Sequence, residues 1–235
     1  MKRRNVLLAA VVGALAALAG CTAMQPSAPP VSRLALIGVP DPERLLVTIE
    51  KDPRASGSSE RAMFYIAEVT YRAKTLAGAL GASAFSASAE MTGAFEDALG
   101  RPGRPVLRVP NPRLDRTEFV QDYKTLKASA EVYVDVVPET IGYWADSPTG
   151  AIRPWVIVRY RAVDSRDGKV LAAGLIGTGP APAGETAIAI APDDSFTFAS
   201  FDALTGDPAR AGAGLRAAIR RIAQAAAQRL GAVVG

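Results

Sequence analysis

The stretch PWVIVRYRAVDSRDGKVLAAGLIGTG, Pro154–Gly179, carries the clearest strand signals of the chain on both sides of one turn. In its first half Val156, Val158 and Tyr160 alternate with a second set of side chains. This period of two is typical of a strand with one set on each face. The pair Asp167-Gly168 supplies the positive φ angles of a tight hairpin turn. The stretch therefore predicts two antiparallel strands.

A third strong strand precedes this pair. AEVYVDVVP, Ala130–Pro138, again alternates valines with Glu131, Tyr133 and Asp135, so we expect a three-stranded antiparallel meander. Shorter apolar runs bounded by Pro, Gly or Asp predict further strands. They are Arg33–Val39, Arg44–Glu50, Pro105–Pro110 and, within the Pro/Gly/Ala-rich loop 180–194, Thr186–Ile190. The turn Pro40-Asp41-Pro42 separates the first two.

Helical spacing marks four further segments. A helix from Ser58 or Ser59 to Leu80 is predicted to turn Met63, Ile66, Val69, Ala73, Leu76 and Leu80 inward. Two others are predicted at Ser88–Leu99, with Met91, Phe95 and Leu99 inward, and at Asp115–Lys127, with Phe119, Tyr123 and Leu126. The expected fold is α+β: an antiparallel meander sheet of about four to six strands with two or three helices packed on one face.

The last segment begins at Asp207-Pro208, an N-cap followed by a first helical residue. Its apolar side chains recur on one face and its arginines lie elsewhere; the apolar set is Leu215, Ile219, Ile222, Ala226 and Leu230. Docking on the sheet is the main interpretation, and a basic amphipathic helix on a membrane surface is the alternative. GAGLRA at Gly212 follows no predicted strand, so it indicates close packing rather than a phosphate loop.

The amino terminus has the features of an export signal. Lys2, Arg3 and Arg4 precede thirteen residues, Val6–Leu18, of Val, Leu, Ala and Gly. The run is short for a membrane-spanning helix, which takes about 20 apolar residues, and its charged start and small-residue exit are typical of a cleaved signal. The run ends at Leu18-Ala19-Gly20-Cys21, and Cys21 is the only cysteine of the chain.

This ending resembles the lipobox of bacterial lipoprotein precursors. The resemblance implies cleavage after Gly20 and acylation of Cys21 by diacylglycerol and a further fatty acid such as palmitate. Residues 1–20 would be the signal peptide, 21–32 a Pro/Ser-rich tether, and 33–235 a single α+β domain. Thr22 follows the cysteine, where the family's inner-membrane proteins tend to carry aspartate. The expected location is therefore the cell envelope, lipid-anchored at the outer membrane and facing the periplasm.

The charge balance argues against nucleic acid as a partner. The whole chain has 27 Lys and Arg against 23 Asp and Glu, and removal of Lys2, Arg3 and Arg4 leaves 24 against 23. No stripe of Lys and Arg of the kind that nucleic acid requires remains. The positive charge is thus largely that of the export signal.

Several kinds of catalysis are excluded by residue type. The chain has no histidine, and Cys21 is committed to the lipid, so Ser-His-Asp and Cys-His mechanisms and zinc sites built on His or Cys are absent. Glu131 and Asp135 could act as paired carboxylates, or could simply pair with Arg159 and Arg161 on the next strand. Asp193-Asp194 lacks the further oxygen ligands that calcium needs. We expect no enzyme and no cofactor.

One aromatic cluster suggests a binding surface. IGYWADSPTGAIRPW, Ile141–Trp155, holds both tryptophans of the chain, Trp144 and Trp155, together with Tyr143. Trp and Tyr are enriched at the anchor positions of interfaces, so the three residues form a candidate interaction patch. The alternative is that Tyr143 and Trp155 pack under the sheet and hold the loop in place.

The order of elements also resembles that of small envelope lipoproteins, such as curli-secretion and ABC-transporter auxiliary lipoproteins. The similar segments are Tyr123–Val137, Pro154–Val163 and Asp167-Gly168-Lys169-Val170-Leu171. The resemblance implies a non-catalytic domain that binds other envelope components in assembly, transport or maintenance. A small-ligand or cell-wall glycan binding protein is the alternative. A flat apolar surface would favour the first, and a pocket lined by Trp144 and Trp155 the second. The oligomeric state is not predicted.

Overall fold

The computed structural model describes residues 31–49, 59–182 and 184–234. The predicted signal peptide, the lipobox with Cys21 and most of the tether lie outside these residues. Seven strands and four α-helices occur in the described part: β1 Leu34–Ile37, β2 Leu46–Ile49, α1 Ser59–Ala82, α2 Ala87–Leu99, β3 Val106–Val109, β4 Val132–Ala145, β5 Arg153–Asp164, β6 Val170–Thr178, β7 Ile188–Ile190, α3 Phe201–Gly206 and α4 Pro208–Val234.

All seven strands form one mixed sheet. The order is β3-β1-β4-β5-β6-β7, and β2 pairs with β4 beyond β1. The predicted meander is confirmed for β4, β5 and β6, which pair antiparallel. The prediction of an antiparallel sheet throughout was wrong, because β1 and β2 pair parallel to β4, β3 to β1, and β7 to β6. Parallel neighbours need long crossover connections, which carry no local turn signal.

Two connections differ from their predicted geometry. Pro40-Asp41-Pro42 does not reverse the chain, since β1 and β2 run in the same direction along β4. The β5–β6 connection holds five residues between Asp164 and Val170, with Gly168 at φ +77°. Backbone and side-chain donors of Arg166 bind the Asp164 carboxylate, and the side-chain bond is the main reason that its pKa falls to about 2. Tight local hydrogen bonds thus replace the two-residue turn.

Three of the four helices, α1, α2 and α4, contact the sheet from one side, as predicted for two or three helices. Ser86 caps α2, whose Met91, Phe95 and Leu99 are buried. The predicted inward residues of α4 are buried too, from Leu215 to Leu230, in the same cluster as Val134 and Val136 of β4 and Val156 and Val158 of β5. The apolar face of α4 therefore contacts the sheet rather than a membrane surface. In the described residues no helix is both long and apolar enough to span a membrane.

The helix predicted at Asp115–Lys127 was wrong. The segment is irregular apart from one 3₁₀ turn, Tyr123–Thr125. Asp115 binds the backbone and hydroxyl of Thr117 in a local turn, which competes with helix formation. The apolar residues that suggested a helix are instead buried separately. Val120 and Tyr123 lie against the sheet face opposite the helices, in a second small cluster with Ala35, Ile37, Val109, Ala130, Tyr133 and Val163.

Candidate interaction surfaces

A β-bulge separates the three residues of the predicted aromatic patch. β4 continues seven residues past Pro138, and its pairing with β5 shifts between Pro138 and Thr140. A bulge inserts one unpaired residue and exchanges the faces of the residues that follow it. Proline inside a strand is the sequence signal for such an irregularity. Beyond it, Tyr143 lies on the helix side and Trp144 on the opposite side.

Tyr143 is a core residue in this structure. Its side chain is completely buried. The hydroxyl donates a hydrogen bond to the carbonyl oxygen of Ala211 in α4 at 2.6 Å, and the ring packs edge-on against Phe198 with centroids 5.7 Å apart. Burial raises the pKa of Tyr143 well above its usual range, so the hydroxyl stays a neutral donor. Tyr143 joins α4 to the sheet and is not at the surface.

The two tryptophans lie together on the other face of the sheet. Trp144 pairs with Arg153, two residues from Trp155 along β5, so all three share this face by alternation. Both indoles are half-buried. The Trp155 Nε1 donates to the carbonyl oxygen of Pro180 at 3.0 Å, which holds the chain as it leaves β6. Neither tryptophan lines any of four well-formed cavities among the described residues.

The two candidate carboxylates occupy unlike surroundings. Glu131 is exposed and accepts hydrogen bonds from the backbone and hydroxyl of Ser32. Asp135 is completely buried and forms an ion pair with Arg113, which is itself 1% exposed. Nothing in this arrangement offers two acids facing a substrate from one cleft, as glycoside hydrolysis requires.

Asp135 instead holds the irregular segment 110–130 on the sheet. Its carboxylate also accepts hydrogen bonds from the Val120 backbone at 2.9 Å and from the Tyr123 hydroxyl. Burial, and then the negative charge of Asp135, raise the pKa of Tyr123 well above its usual range. Three groups, on Arg113, Val120 and Tyr123, therefore donate to the carboxylate. Arg113 was missed in the sequence, because it lies 22 residues from Asp135 in a segment without regular structure.

The predicted arginines of β5 complete this attachment. Arg161 stacks on Phe119 and Tyr123, with its guanidinium carbon 4.2 and 4.9 Å from the ring centroids. It lies at the limit of ion-pair distance from Asp135, at 4.0 Å. Arg159 pairs with Glu139 rather than with either predicted acid. Both side chains also donate hydrogen bonds to the backbone of segment 110–130, Arg159 to Thr117 and Arg161 to Val120.

The acidic pair at Asp193-Asp194 has a local role. The Asp193 carboxylate caps the 3₁₀ turn 194–196 by accepting from the Ser195 backbone at 3.0 Å and hydroxyl at 2.6 Å. These bonds lower the pKa of Asp193. Among the residues that the structure describes, no group of three or more acidic, His or Cys side chains could hold a metal ion.

The first half of α1 exposes large apolar side chains. Met63 and Ile66 were predicted to face the core, and this prediction was wrong. Met63, Phe64, Ile66 and Tyr71 expose 63–68% of their area, whereas Ala73, Leu76 and Leu80 in the second half are buried as predicted. We call the four exposed residues the α1 apolar face. Phe64 and Tyr71 lie outside the predicted core stripe, and this was the available signal of a second apolar surface.

A groove runs beside this face, between α1 and the beginning of β2. Its volume is about 280 Å³. Leu45 and Leu46 line one side, and small or apolar residues of α1 line the other: Val69, Thr70, Ala73 and Ala77. Glu43, Arg44 and Lys74 form its charged rim. Ile66 of the α1 apolar face lies one helical turn before Thr70, so the face and the groove adjoin along α1.

Comparisons with known proteins do not assign a family. No protein-family model matches the chain, and no curated protein is significantly similar to it. Among the solved structures, a Xanthomonas campestris protein described as family-model DUF330 resembles the chain. It is 13% identical, with 88% of this chain and 89% of that chain covered, at a TM-score of 0.39. This likeness is too distant to support a function.

Proposed function

We propose that the protein is an acyl-anchored lipoprotein of the bacterial envelope, at the outer membrane and facing the periplasm. Its domain binds another envelope protein through the α1 apolar face and has no catalytic role. The observation that carries this proposal is the exposure of four large apolar side chains along one half of a helix. Contiguous apolar surface of this kind marks interaction sites in soluble domains.

The exposed first half of α1 would be stabilised by contact with a partner. Burying one such side chain contributes about 1.5–3 kcal/mol, so four exposed together forgo a large favourable term. Helices shorter than about 12–15 residues are marginal in water, and most of their stability comes from packing. The first half of α1 has little packing of its own, since residues 63, 64, 66, 67, 70 and 71 are all exposed. A partner that covers the α1 apolar face would supply it.

The anchor follows from the lipobox resemblance at Leu18-Ala19-Gly20-Cys21. A single acyl chain binds a membrane reversibly, and two or more hold a protein firmly. Acylation would therefore hold the domain at the membrane. The domain's own charge is close to neutral, and the apolar face of α4 packs on the sheet, so neither would bind the membrane. The predicted tether, 21–32, ends two residues before β1 begins at Leu34.

Fatty-acid labelling tests the anchor. Cells grown with labelled palmitate are expected to incorporate the label into the protein, and the Cys21→Ser variant should carry none and leave the membrane fraction. An Ala23→Ser variant, which changes a neighbouring residue of the tether, should behave like wild type. An unlabelled wild-type protein, or a Cys21→Ser variant that stays membrane-bound, would contradict the lipoprotein assignment.

Site-specific photocrosslinking in cells tests the binding surface. A photoreactive amino acid at Phe64 is expected to yield a discrete crosslinked envelope protein. The same probe at Leu114, a fully exposed apolar residue of segment 110–130, should not. Replacing Met63 and Ile66 by Ser should reduce the Phe64 crosslink at least tenfold without lowering the thermal unfolding midpoint, because neither side chain is in the core. Equal crosslinking yields from probes at Phe64 and Leu114 would contradict the proposal.

A ligand or glycan binder remains the second candidate. It is supported by the common sheet face of Trp144 and Trp155, since aromatic side chains stack on sugars and on other flat groups. The same cells test this second candidate. It is favoured if glycan is recovered in place of a protein, if Trp144→Ala abolishes that recovery, and if replacement of Met63 and Ile66 leaves it unchanged.

A further inference from the structure

The outer edge of β2 is unpaired in the part of the chain that the structure describes. In residues 31–49, 59–182 and 184–234, β2 pairs only with β4, on one side. Its four residues, Leu46–Ile49, include no charge and no proline. Proteins usually protect such edges with charges, proline or a covering element. An open edge without these features is a template for a further strand.

The other edge strands of the sheet are less suited to this role. β3 is flanked by Pro105 and Pro110, and its Arg108 is paired with Glu96 in α2. β7 has only three residues. The groove described above, by contrast, is lined by Leu46 of β2, and its α1 side includes the small side chains of Thr70, Ala73 and Ala77. Backbone edge and side-chain groove therefore occur together only at β2 among these three strands.

We infer that β2 and the groove receive an extended segment of the partner protein. The segment adds a strand to the free edge of β2 and places alternate aliphatic side chains in the groove against Thr70, Ala73 and Ala77. This mode of recognition takes affinity from main-chain hydrogen bonds and specificity from side-chain pockets. The inference rests on the proposed function, in which the partner also covers the α1 apolar face.

The size and charge of the groove support a peptide segment. Its volume of about 280 Å³ is at the small end of the roughly 300–1,000 Å³ range of ligand pockets, and it is large enough for individual side chains. The rim holds two cations, Arg44 and Lys74, against one acid, Glu43. We therefore expect an acidic residue in the bound segment, placed beside the aliphatic ones.

Residues 1–20 are removed in the proposed lipoprotein, and the other two stretches outside the described residues, 21–30 and 50–58, are poorly suited to the groove. Residues 21–30 contain Pro26, Pro29 and Pro30, which lack the amide donor that a strand needs. Residues 50–58 contain Pro53 and four charged residues, and no large apolar side chain. Neither composition supplies alternating aliphatic side chains, so a separate protein is the better occupant.

A phage-displayed library of random dodecapeptides, panned on the full-length acylated protein in detergent, is the first probe. The selected peptides are expected to share alternating aliphatic residues and at least one acid. A synthetic copy of the best binder should lose affinity at least tenfold when alternate backbone amides are N-methylated. This modification removes strand hydrogen bonds and keeps the side chains. Failure to select any peptide, or undiminished binding after N-methylation, would overturn the inference.

Matched tryptophan variants of α1 locate the binding site. Ala77→Trp fills the groove from an exposed position and should weaken the peptide at least tenfold, with an unchanged unfolding midpoint. Ala67→Trp is also exposed but lies outside the groove, so binding should stay within twofold. Equal losses of peptide affinity in the two variants would overturn the inference. So would light scattering that shows the wild-type protein to self-associate and the Ala77→Trp variant not to, because the groove would then bind a second copy of this chain. Loss of the Phe64 crosslink to protein, with peptide binding intact, would instead count against the proposed function.

Discussion

Replacing Asp135 by Ala is expected to lower the free energy of unfolding by about 3–5 kcal/mol. The carboxylate is buried and serves Arg113, the Val120 backbone and the Tyr123 hydroxyl at once. Its removal leaves the guanidinium of Arg113 buried without a counter-charge, and that desolvation is the main cost. Since domains are stable by only about 5–15 kcal/mol, the loss should be visible directly in urea and thermal unfolding.

The controls separate the buried pair from charge in general. Glu131→Ala removes an exposed acid only four residues away and should change the midpoint little, because solvent screens exposed pairs. The double variant Arg113→Met/Asp135→Leu should lose less than Asp135→Ala, since no buried charge is left unpaired. An Asp135→Ala protein as stable as wild type would show that segment 110–130 is held by other contacts.

Gly142→Ala is expected to displace β2 from the sheet. A β-carbon at this position would lie 1.9 Å from the carbonyl oxygen of Leu46 and 2.7 Å from its backbone nitrogen. Both are main-chain atoms of the paired strand, so no side-chain rotation relieves the overlap. Overpacking costs about 1–3 kcal/mol in cores that can relax, and we expect the upper end of this range or more. Hydrogen exchange of the amides 46–49 should accelerate before global unfolding.

Gly93→Ala is the matched control for this substitution. Gly93 lies inside α2, and an added β-carbon would have no atom within 4 Å. Glycine within a helix costs about 0.5–1 kcal/mol relative to alanine, so stability should rise slightly. A Gly142→Ala protein that behaves like Gly93→Ala, with β2 amides still protected, would disprove the close approach of β2 to β4.

Hydrophobic spacing predicted the secondary structure correctly in some segments and wrongly in others. The central strands and α4 were predictable, because alternation and helical spacing are local consequences of one buried face. The helix predicted at Asp115–Lys127 failed, because its apolar residues are buried by the distant Asp135, Arg161 and Tyr133 rather than by one another. The prediction for α1 was wrong for a similar reason. Its spacing indicated a core-facing stripe along the whole helix, but whether the sheet reaches Met63 and Ile66 depends on distant residues.

The candidate sites follow the same division. Trp144 and Tyr143 are adjacent in sequence, yet a bulge at residue 139 decides which of them reaches the helix side. The absence of histidine from the sequence excludes histidine-based catalysis, whereas the lipid anchor at Cys21, and with it the loss of the one thiol, stays a prediction. The groove beside β2 had no sequence signal, because Leu45 and Ala77 meet only after two separate elements pack together.

Local order and chemical capacity were thus set by the sequence alone: three meandering strands, two long amphipathic helices, and a domain without histidine. Tertiary structure alone decided the parallel addition of β1, β2, β3 and β7, the burial of Asp135 and the exposure of Met63 and Ile66. The physical reason is the sequence separation of the contacts involved. Periodicity reports that a side chain has an apolar neighbour somewhere, whereas which surface covers it, or leaves it open, depends on contacts between residues far apart in the chain.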